Sequence, residues 1–437
     1  MNDTIYALAT PIGGAIAVIR ISGPEAKTGL EKVFKGKIHH KYMTHGIIVD
    51  GDTPVDDGMG VYFAAPNSYT GEEMAELFIH GGYAVSKRVL GAIGKTGLRP
   101  AAPGEFTQRA FLNGKMDLTR AEAVMDLVCA SSSRGAASAL EQLRGSLSDM
   151  IFAIQDKVTD LLSGVDAAID YPEELEEDVF SSLPGDMAKV KEELDRLIQN
   201  GFASRMVREG VKIAILGRPN AGKSTLFNAM LGEERAIVTP EAGTTRDIIE
   251  GALLINGITA RLFDTAGLRD SDNQAESIGI SRARETVDKA DLLLIAIDGG
   301  QGITEEEAAL LSHSAKRIAV ICKSDISDGA SAAKEAEKYG VEAITVSAAT
   351  GEGISALIDR IGELTAPETE SALVTNIRHI DALSNASAAL ASALRAEDPE
   401  CVATDLRACL LSLGEITGAC ADEEVIQRIF SRFCVGK

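Results

Sequence analysis

Residues 217–224 read Gly217-Arg218-Pro219-Asn220-Ala221-Gly222-Lys223-Ser224, and they decide how the middle of this 437-residue chain folds. They follow the apolar run KIAIL and open the helical run STLFNAML, the strand–loop–helix context that a G-x-x-x-x-G-K-S pattern requires. Gly217 and Gly222 permit a tight turn, so that the backbone N–H groups around Asn220, Ala221 and Gly222 and the helix start at Ser224 and Thr225 surround a β-phosphate. Lys223 is expected to reach the β- and γ-phosphates and Ser224 to bind Mg2+.

Reading outward, apolar strands alternate with helices from about 211 to 364: KIAIL, ARLF, DLLLIAID, RIAVIC and AITVSA. This predicts a mostly parallel sheet covered on both faces. Four further stretches follow in order. GTTRD supplies Thr245 as a second Mg2+ ligand; DTAG sets Asp264 beside the metal shell, with Thr265, Ala266 and Gly267 against the γ-phosphate. CKSD and SAA each close a strand, where open α/β sheets place ligands. They bring Lys323, Asp325, Ser347, Ala348 and Ala349 to the base. An ionised Asp325 only accepts hydrogen bonds, and guanine offers two N–H donors where adenine presents an acceptor, so the base is guanine. The set resembles the motifs of translation-factor-related GTPases with one departure: Cys322 stands where Asn is usual. A thiol cannot reproduce the paired hydrogen bonds of an amide to the phosphate loop, which predicts weaker nucleotide binding with specificity retained by Asp325. Small GTPases commonly orient water with a Gln after DTAG; here that position is Leu268, leaving Asn220, Glu276 and the loop Thr239–Thr244 as candidates.

The formal charge of -22 argues against a general nucleic-acid binder, so RNA contact needs a local basic patch or a partner. Six cysteines without a C-x-x-C pair suit a reducing compartment. The start lacks the features of a signal peptide, no apolar run reaches membrane-spanning length, and a cytoplasmic protein without membrane contact is expected.

Residues 1–117 are strand-rich, with AIAVIRISG, HGIIVD, MGVYFAA and AELFIHGG as strands and YAVSKRVLGAIG and EFTQRAFLNG as helices. Residues 118–210 change to amphipathic helices, with DYPEELEEDV as an acidic connector before a helix ending near Asn200. Helical spacing resumes over 365–437. The two helical stretches are expected to form one discontinuous domain into which 211–364 is inserted.

Long runs extend the resemblance over the whole chain: LATPIGGAIAVIRISGP, PNSYTGEEMAELFIHGG, APGEFTQRAFLNGKMDLTRAEAV, DTAGLR and FCVGK. The sequence is similar to the bacterial MnmE/TrmE tRNA-modification GTPases. The resemblance implies a multidomain α/β and α protein: an N-terminal α+β domain (1–117) for tetrahydrofolate binding and dimerisation, the discontinuous helical domain, and a P-loop GTPase domain. It implies a K+ site made by Asn220, Thr239, Glu241 and Thr244 within the loop that also holds Pro240, Ala242 and Gly243, with K+ in the role of an arginine finger. The family usually carries an apolar residue at 241. Glu276 is implied to orient water, and Arg20, Glu76, Lys115 and Lys437 to bind 5-formyl- or 5,10-methylene-tetrahydrofolate. The implied partners are a second copy, an FAD-dependent subunit in a heterotetramer, and tRNA, whose wobble uridine receives a carboxymethylaminomethyl or aminomethyl group. A ribosome-assembly GTPase switch is the alternative class, but such proteins add a basic RNA-binding module.

The ending CVGK has the layout of a prenylation box, yet Gly436 is not aliphatic and no polybasic run precedes it. Instead Lys437 is implied to return to the folate site. Cys434 is expected as a thiol held near that site, catalytic or only structural.

Overall fold

A computed structural model describes residues 3–232, 251–264, 290–365 and 374–436, with backbone only at 172–179, 202–203 and 264. Two compact units are present: residues 1–128, 141–194 and 382–437, and residues 129–140 and 195–381.

In the first unit, β1 (Ile5–Leu8), β2 (Ile16–Ser22), β3 (Phe34–Lys35), β4 (Thr44–Asp50), β5 (Thr53–Phe63), β6 (Met74–His80) and β7 (Arg99–Pro100) make one sheet ordered β3-β4-β5-β6-β2-β1-β7. Its pairings are antiparallel except β1 with β7. Strand alternation sends Ala17, Ile19 and Ile21 of β2 and Ala75, Leu77 and Ile79 of β6 inward, where they bury against α1 (Ala26–Val33) and α2 (Tyr83–Gly94). The opposite face meets α3 (Glu105–Leu112) only at one end, through Ile5, Ala7 and Phe106.

α4 (Leu118–Cys129), α5 (Ser133–Arg144) and α6 (Ser146–Asp170) follow. On α6, Leu147, Ile151, Ile154 and Val158 recur at three- and four-residue spacing, Val165 follows two turns later, and all are fully buried. The acidic stretch expected as a connector is helical instead: α7 runs from Pro172 to Glu209, past the expected end near Asn200. Pro at a first helical position and acidic residues beside the positive helix start favour this, so the charge that looked like a linker is a helix beginning.

The second unit carries β8 (Val211–Leu216), β9 (Gly251–Ile255), β10 (Ile258–Asp264), β11 (Leu292–Asp298), β12 (Arg317–Cys322) and β13 (Ala343–Thr345), ordered β13-β12-β11-β8-β10-β9. All neighbours are parallel except the β9–β10 hairpin. Every residue of β11 is buried, as expected for a central strand covered on both faces. Its helices are α8 (Lys223–Leu231), α9 (Glu305–Leu311), α10 (Ala330–Glu337) and α11 (Ile354–Thr365). α12 (Ile377–Ala393), α13 (Pro399–Thr417) and α14 (Glu423–Phe430) complete the chain. Among the described residues, no helix is long and apolar enough to cross a membrane.

Candidate functional site

Between β8 and α8 the chain turns through positive φ at Gly217 (142°), Asn220 (64°) and Gly222 (105°). A Cβ on Gly217 would collide with the Ala296 carbonyl of β11, so glycine is needed for the loop to lie against the sheet. Asn220 tolerates the left-handed conformation and stands exposed on the loop. Lys223 is buried, and its Nζ donates to the carbonyls of Gly217 (2.9 Å) and Arg218 (2.8 Å), placing an ammonium inside the loop it closes. Together with the N–H groups opening α8, this is a cationic cradle suited to phosphate oxygens, with Ser224 in the first turn where a hydroxyl can meet Mg2+.

The base-recognition loop leaves β12 at Cys322. Asp325 Oδ1 accepts from Ser347 Oγ at 2.7 Å, so two of the expected residues, from different strands, orient one another. That bond orients an ionised carboxylate, an acceptor-only group whose chemistry complements the two N–H donors of a guanine edge. Lys323 has φ of 66° and donates from Nζ to Asp298 Oδ2 at 2.8 Å. The Lys323 hydrogen bond is the main reason the Asp298 carboxyl lies below its ordinary pKa. Gly300 N–H donates to Asp298 Oδ1 (2.9 Å), Gly299 N–H to the Cys322 carbonyl (3.0 Å), and Ser327 Oγ to the Gly299 carbonyl (2.9 Å). The loop therefore hangs from the end of β11. Asp298 was missed by motif reading; its one signal is an acid closing the run DLLLIAID.

Cys322 is buried, and its Sγ donates to the Val320 carbonyl of its own strand at 3.6 Å. Its Cβ and Sγ lie 3.4 and 3.7 Å from where a Gly222 Cβ would stand. It meets the phosphate loop as an apolar neighbour, and burial pushes its thiol pKa up to about 12.

In the first unit, β2–β6 register sets Arg20 opposite Glu76. Arg20 Nε donates to Glu76 Oε1 at 2.9 Å, with the two side chains 16% and 14% exposed. The guanidinium carbon lies 5.0 Å from the Tyr69 ring centre and 5.7 Å from that of Phe106. Tyr69 shares a hydrogen bond with Thr107, and burial raises its pKa. Lys115 Nζ donates to the Pro66 carbonyl (3.1 Å) and its stem lines Gly71, so it braces the same loop that carries Tyr69.

Two family profiles match the sequence: GTP-binding protein TrmE N-terminus over residues 4–115 and MnmE helical domain over residues 118–434. The proteins named tRNA modification GTPase MnmE from Natranaerobius thermophilus and Moorella thermoacetica are 38% and 40% identical over the whole of both chains. That from Aquifex aeolicus is 40% identical, again over the full length of both. The chain belongs to the MnmE family. Among solved structures, the FeoB G-domain from Methanococcus jannaschii aligns with 36% of this chain and 97% of its own at 27% identity and a TM-score of 0.27. The G domain of the T. maritima FeoB transporter covers 35% and 98% with the same identity and score.

For the residues that the MnmE resemblance implied, the structure is specific. Arg20 and Glu76 stand together as one ion pair, rather than as two separate surface charges. Phe430 and Phe433 pack on Gly104, whose N–H donates to the Cys434 carbonyl at 3.4 Å, and Gly436 lies against the Leu8 carbonyl of β1. Ala7 of that strand pairs with Arg20, so Gly436 meets the end of the strand that neighbours the expected folate residue Arg20. Cys434 itself is exposed. Thr239, Pro240, Glu241, Ala242, Gly243, Thr244, Thr245, Thr265, Ala266, Gly267, Glu276 and Lys437 lie outside the described residues, as does the side chain of Asp264.

Proposed function

We propose that this chain hydrolyses GTP to drive modification of tRNA at the wobble uridine. The observation that carries the nucleotide half is the Asp325–Ser347 bond at the end of β12, beside a buried Lys223 in a P-loop. The tRNA half rests on full-length relatives named tRNA modification GTPase MnmE.

On this reading residues 1–117 bind tetrahydrofolate and dimerise, 118–210 and 365–437 form the helical domain, and 211–364 form the GTPase domain. Arg20 and Glu76 suit the folate: the carboxylate keeps a second oxygen for pterin N–H groups, and Tyr69 and Phe106 supply flat apolar walls. Folate supplies a one-carbon unit when bound; an FAD-dependent partner carries the redox step. The sheet face opposite α1 and α2 favours a second copy as partner. There Ile16, Ile47 and Met59, on one face by strand register, are 63%, 46% and 39% exposed. Exposed Asn220, with Thr239, Glu241 and Thr244, would hold K+; Ser224 and Thr245 would hold Mg2+. Glu276 would orient water, since Leu268 cannot.

The test is mass spectrometry of wobble nucleosides from cells lacking this protein. Loss of the carboxymethylaminomethyl or aminomethyl group is expected, and an unchanged profile refutes the reading. Hydrolysis is expected to be faster in K+ than in Na+ buffer; equal rates would remove the potassium assignment.

A further inference from the structure

The acidity of this protein is not evenly spread. Residues 1–117 carry twelve basic and twelve acidic side chains, so the whole formal charge of -22 belongs to residues 118–437. Within the neutral region the basic groups are gathered. From Lys32 to Val49 there is no acidic residue, while Lys32, Lys35, Lys37, Lys41, His39, His40 and His45 all occur. From Leu77 to Gly104 there is again none, with Lys87, Arg88, Lys95 and Arg99 present.

The fold puts several of these beside the helical layer, whereas strand register sets Lys35 and His45 on the opposite sheet face with Ile47 and Met59. α1 and α2 cover the same face of the sheet, α1 runs directly into edge strand β3, and Lys32 Nζ reaches the Thr96 carbonyl just beyond α2 at 3.4 Å. Lys35, Lys37, Lys41, Lys87 and Arg88 are exposed, and among the described residues none of them makes an ion pair. Lys95 by contrast is paired with Asp50. The turn is held rather than loose: Lys41 has φ of 60°, its N–H donates to the Tyr62 carbonyl at 2.8 Å, and His39 bridges Tyr42. Aromatic faces lie among the cations. Tyr42 is 72% exposed, Tyr83 is 65% exposed with Lys87 Nζ 5.9 Å from its ring centre, and Lys27 Nζ stands 5.6 Å from that of Tyr62.

We propose that the surface formed by α1, α2 and the β3–β4 turn binds the phosphate backbone of tRNA, with Lys37, Lys41, Lys87 and Arg88 as the phosphate-binding groups. This rests on the tRNA reading above. The surface is set for polyanion binding: unpaired ammonium and guanidinium groups displace condensed counterions from the phosphates, and exposed tyrosines stack on unpaired bases. Lysines on an edge strand also deter strand pairing, but that role does not account for Lys87 and Arg88 on a helix. The rest of the chain repels RNA, so it orients tRNA onto this face.

The test uses the full-length protein and a fluorescent, unmodified tRNA transcript, titrated at several salt concentrations. Lys37→Gln/Lys41→Gln and, separately, Lys87→Gln/Arg88→Gln are each expected to weaken binding by about fivefold at low salt. The log–log salt slope should fall by about 0.9 for each phosphate that is no longer neutralised. GTP hydrolysis and melting temperature should stay at wild-type values, because the side chains are exposed and lie outside the nucleotide site. Unchanged tRNA affinity and slope in both variants overturn the proposal, and do so equally if the variants instead lose an acidic protein partner. In that case a wild-type gene that still restores wobble modification leaves the functional reading standing.

Discussion

The two sheets of this protein solve the problem of placing functional groups in opposite ways. The mostly parallel sheet of the second unit has a central strand buried on both faces, so its candidate chemistry sits in loops beyond the carboxyl ends of β8, β11 and β12. The antiparallel sheet of the first unit has one face only partly covered, and Arg20 and Glu76 project from the middle of β2 and β6. Loop sites announce themselves as motifs, because glycines and short polar strings are needed to build them. Mid-strand sites do not, because a charged residue there resembles any polar position of an alternating strand.

The largest expected effect tests what supports the mid-strand site. Arg109 is 1% exposed and pairs with Asp3 (2.8 Å), Glu72 (3.1 Å) and Glu105 (2.9 Å). Arg109→Ala removes the one buried guanidinium that joins all three, leaving Asp3 and Glu105 to Arg99 and Glu72 to Ser22, and should lower stability by about 3 kcal/mol in chemical denaturation. A loss below about 1 kcal/mol would show that water replaces the arginine. The same network predicts acid sensitivity. Hydrogen bonds from Arg99 hold Asp3 below its ordinary pKa, and despite the opposing effect of burial, bonds from Arg99, Ala102 and Arg109 do so for Glu105. Their stabilisation is therefore complete above the unfolded carboxylate range and is lost as pH falls through the folded values. The melting temperature should drop below about pH 4, and Arg109→Ala should flatten that dependence.

Next comes the loop site. Asp325→Asn should weaken GTP binding at least about a hundredfold, since two charge-assisted bonds are lost, and should improve binding of xanthosine triphosphate. Equal losses for both nucleotides would mean that Asp325 only shapes the loop. Glu76→Gln should reduce tetrahydrofolate affinity by about tenfold in calorimetry and leave GTP hydrolysis unchanged. Coupled losses would break the contrast between two independently built sites. The smallest effect concerns Cys322. Cys322→Asn should tighten GDP binding about threefold to tenfold by adding amide bonds to the phosphate loop. No tightening would show that the Asp298–Lys323 tether already sets the loop.

Much of the second unit was legible in the sequence. The strands around KIAIL, DLLLIAID and RIAVIC are uninterrupted apolar runs, and P-loop geometry follows from glycines that the backbone needs at φ of 142° and 105°. Strand β9 was not anticipated: GALLI is short, and only its hairpin with β10 makes it a strand. In the first unit, β3 and β7 are two residues each and exist through their neighbours. Arg109 left one faint signal, a Glu105–Arg109 spacing of one helical turn, but its burial depends on Asp3 and Glu72 arriving from distant parts of the chain.

The sequence alone pointed to guanine-nucleotide loops and to the P-loop turn, because hydrogen-bonding inventory and backbone permissiveness are properties of residue type and short spacing. It also determined the family, through long runs that extend over the chain. Tertiary structure decided that Arg20, beside two aromatic rings, pairs with Glu76, that Lys323 is tethered to Asp298, and that Gly436 meets the end of β1 with Cys434 exposed. Tertiary structure also set α1 and α2, with their exposed lysines, on the same face of the first unit's sheet. Each of these is a distance between groups far apart in sequence, and such distances are set by strand register and packing rather than by local pattern.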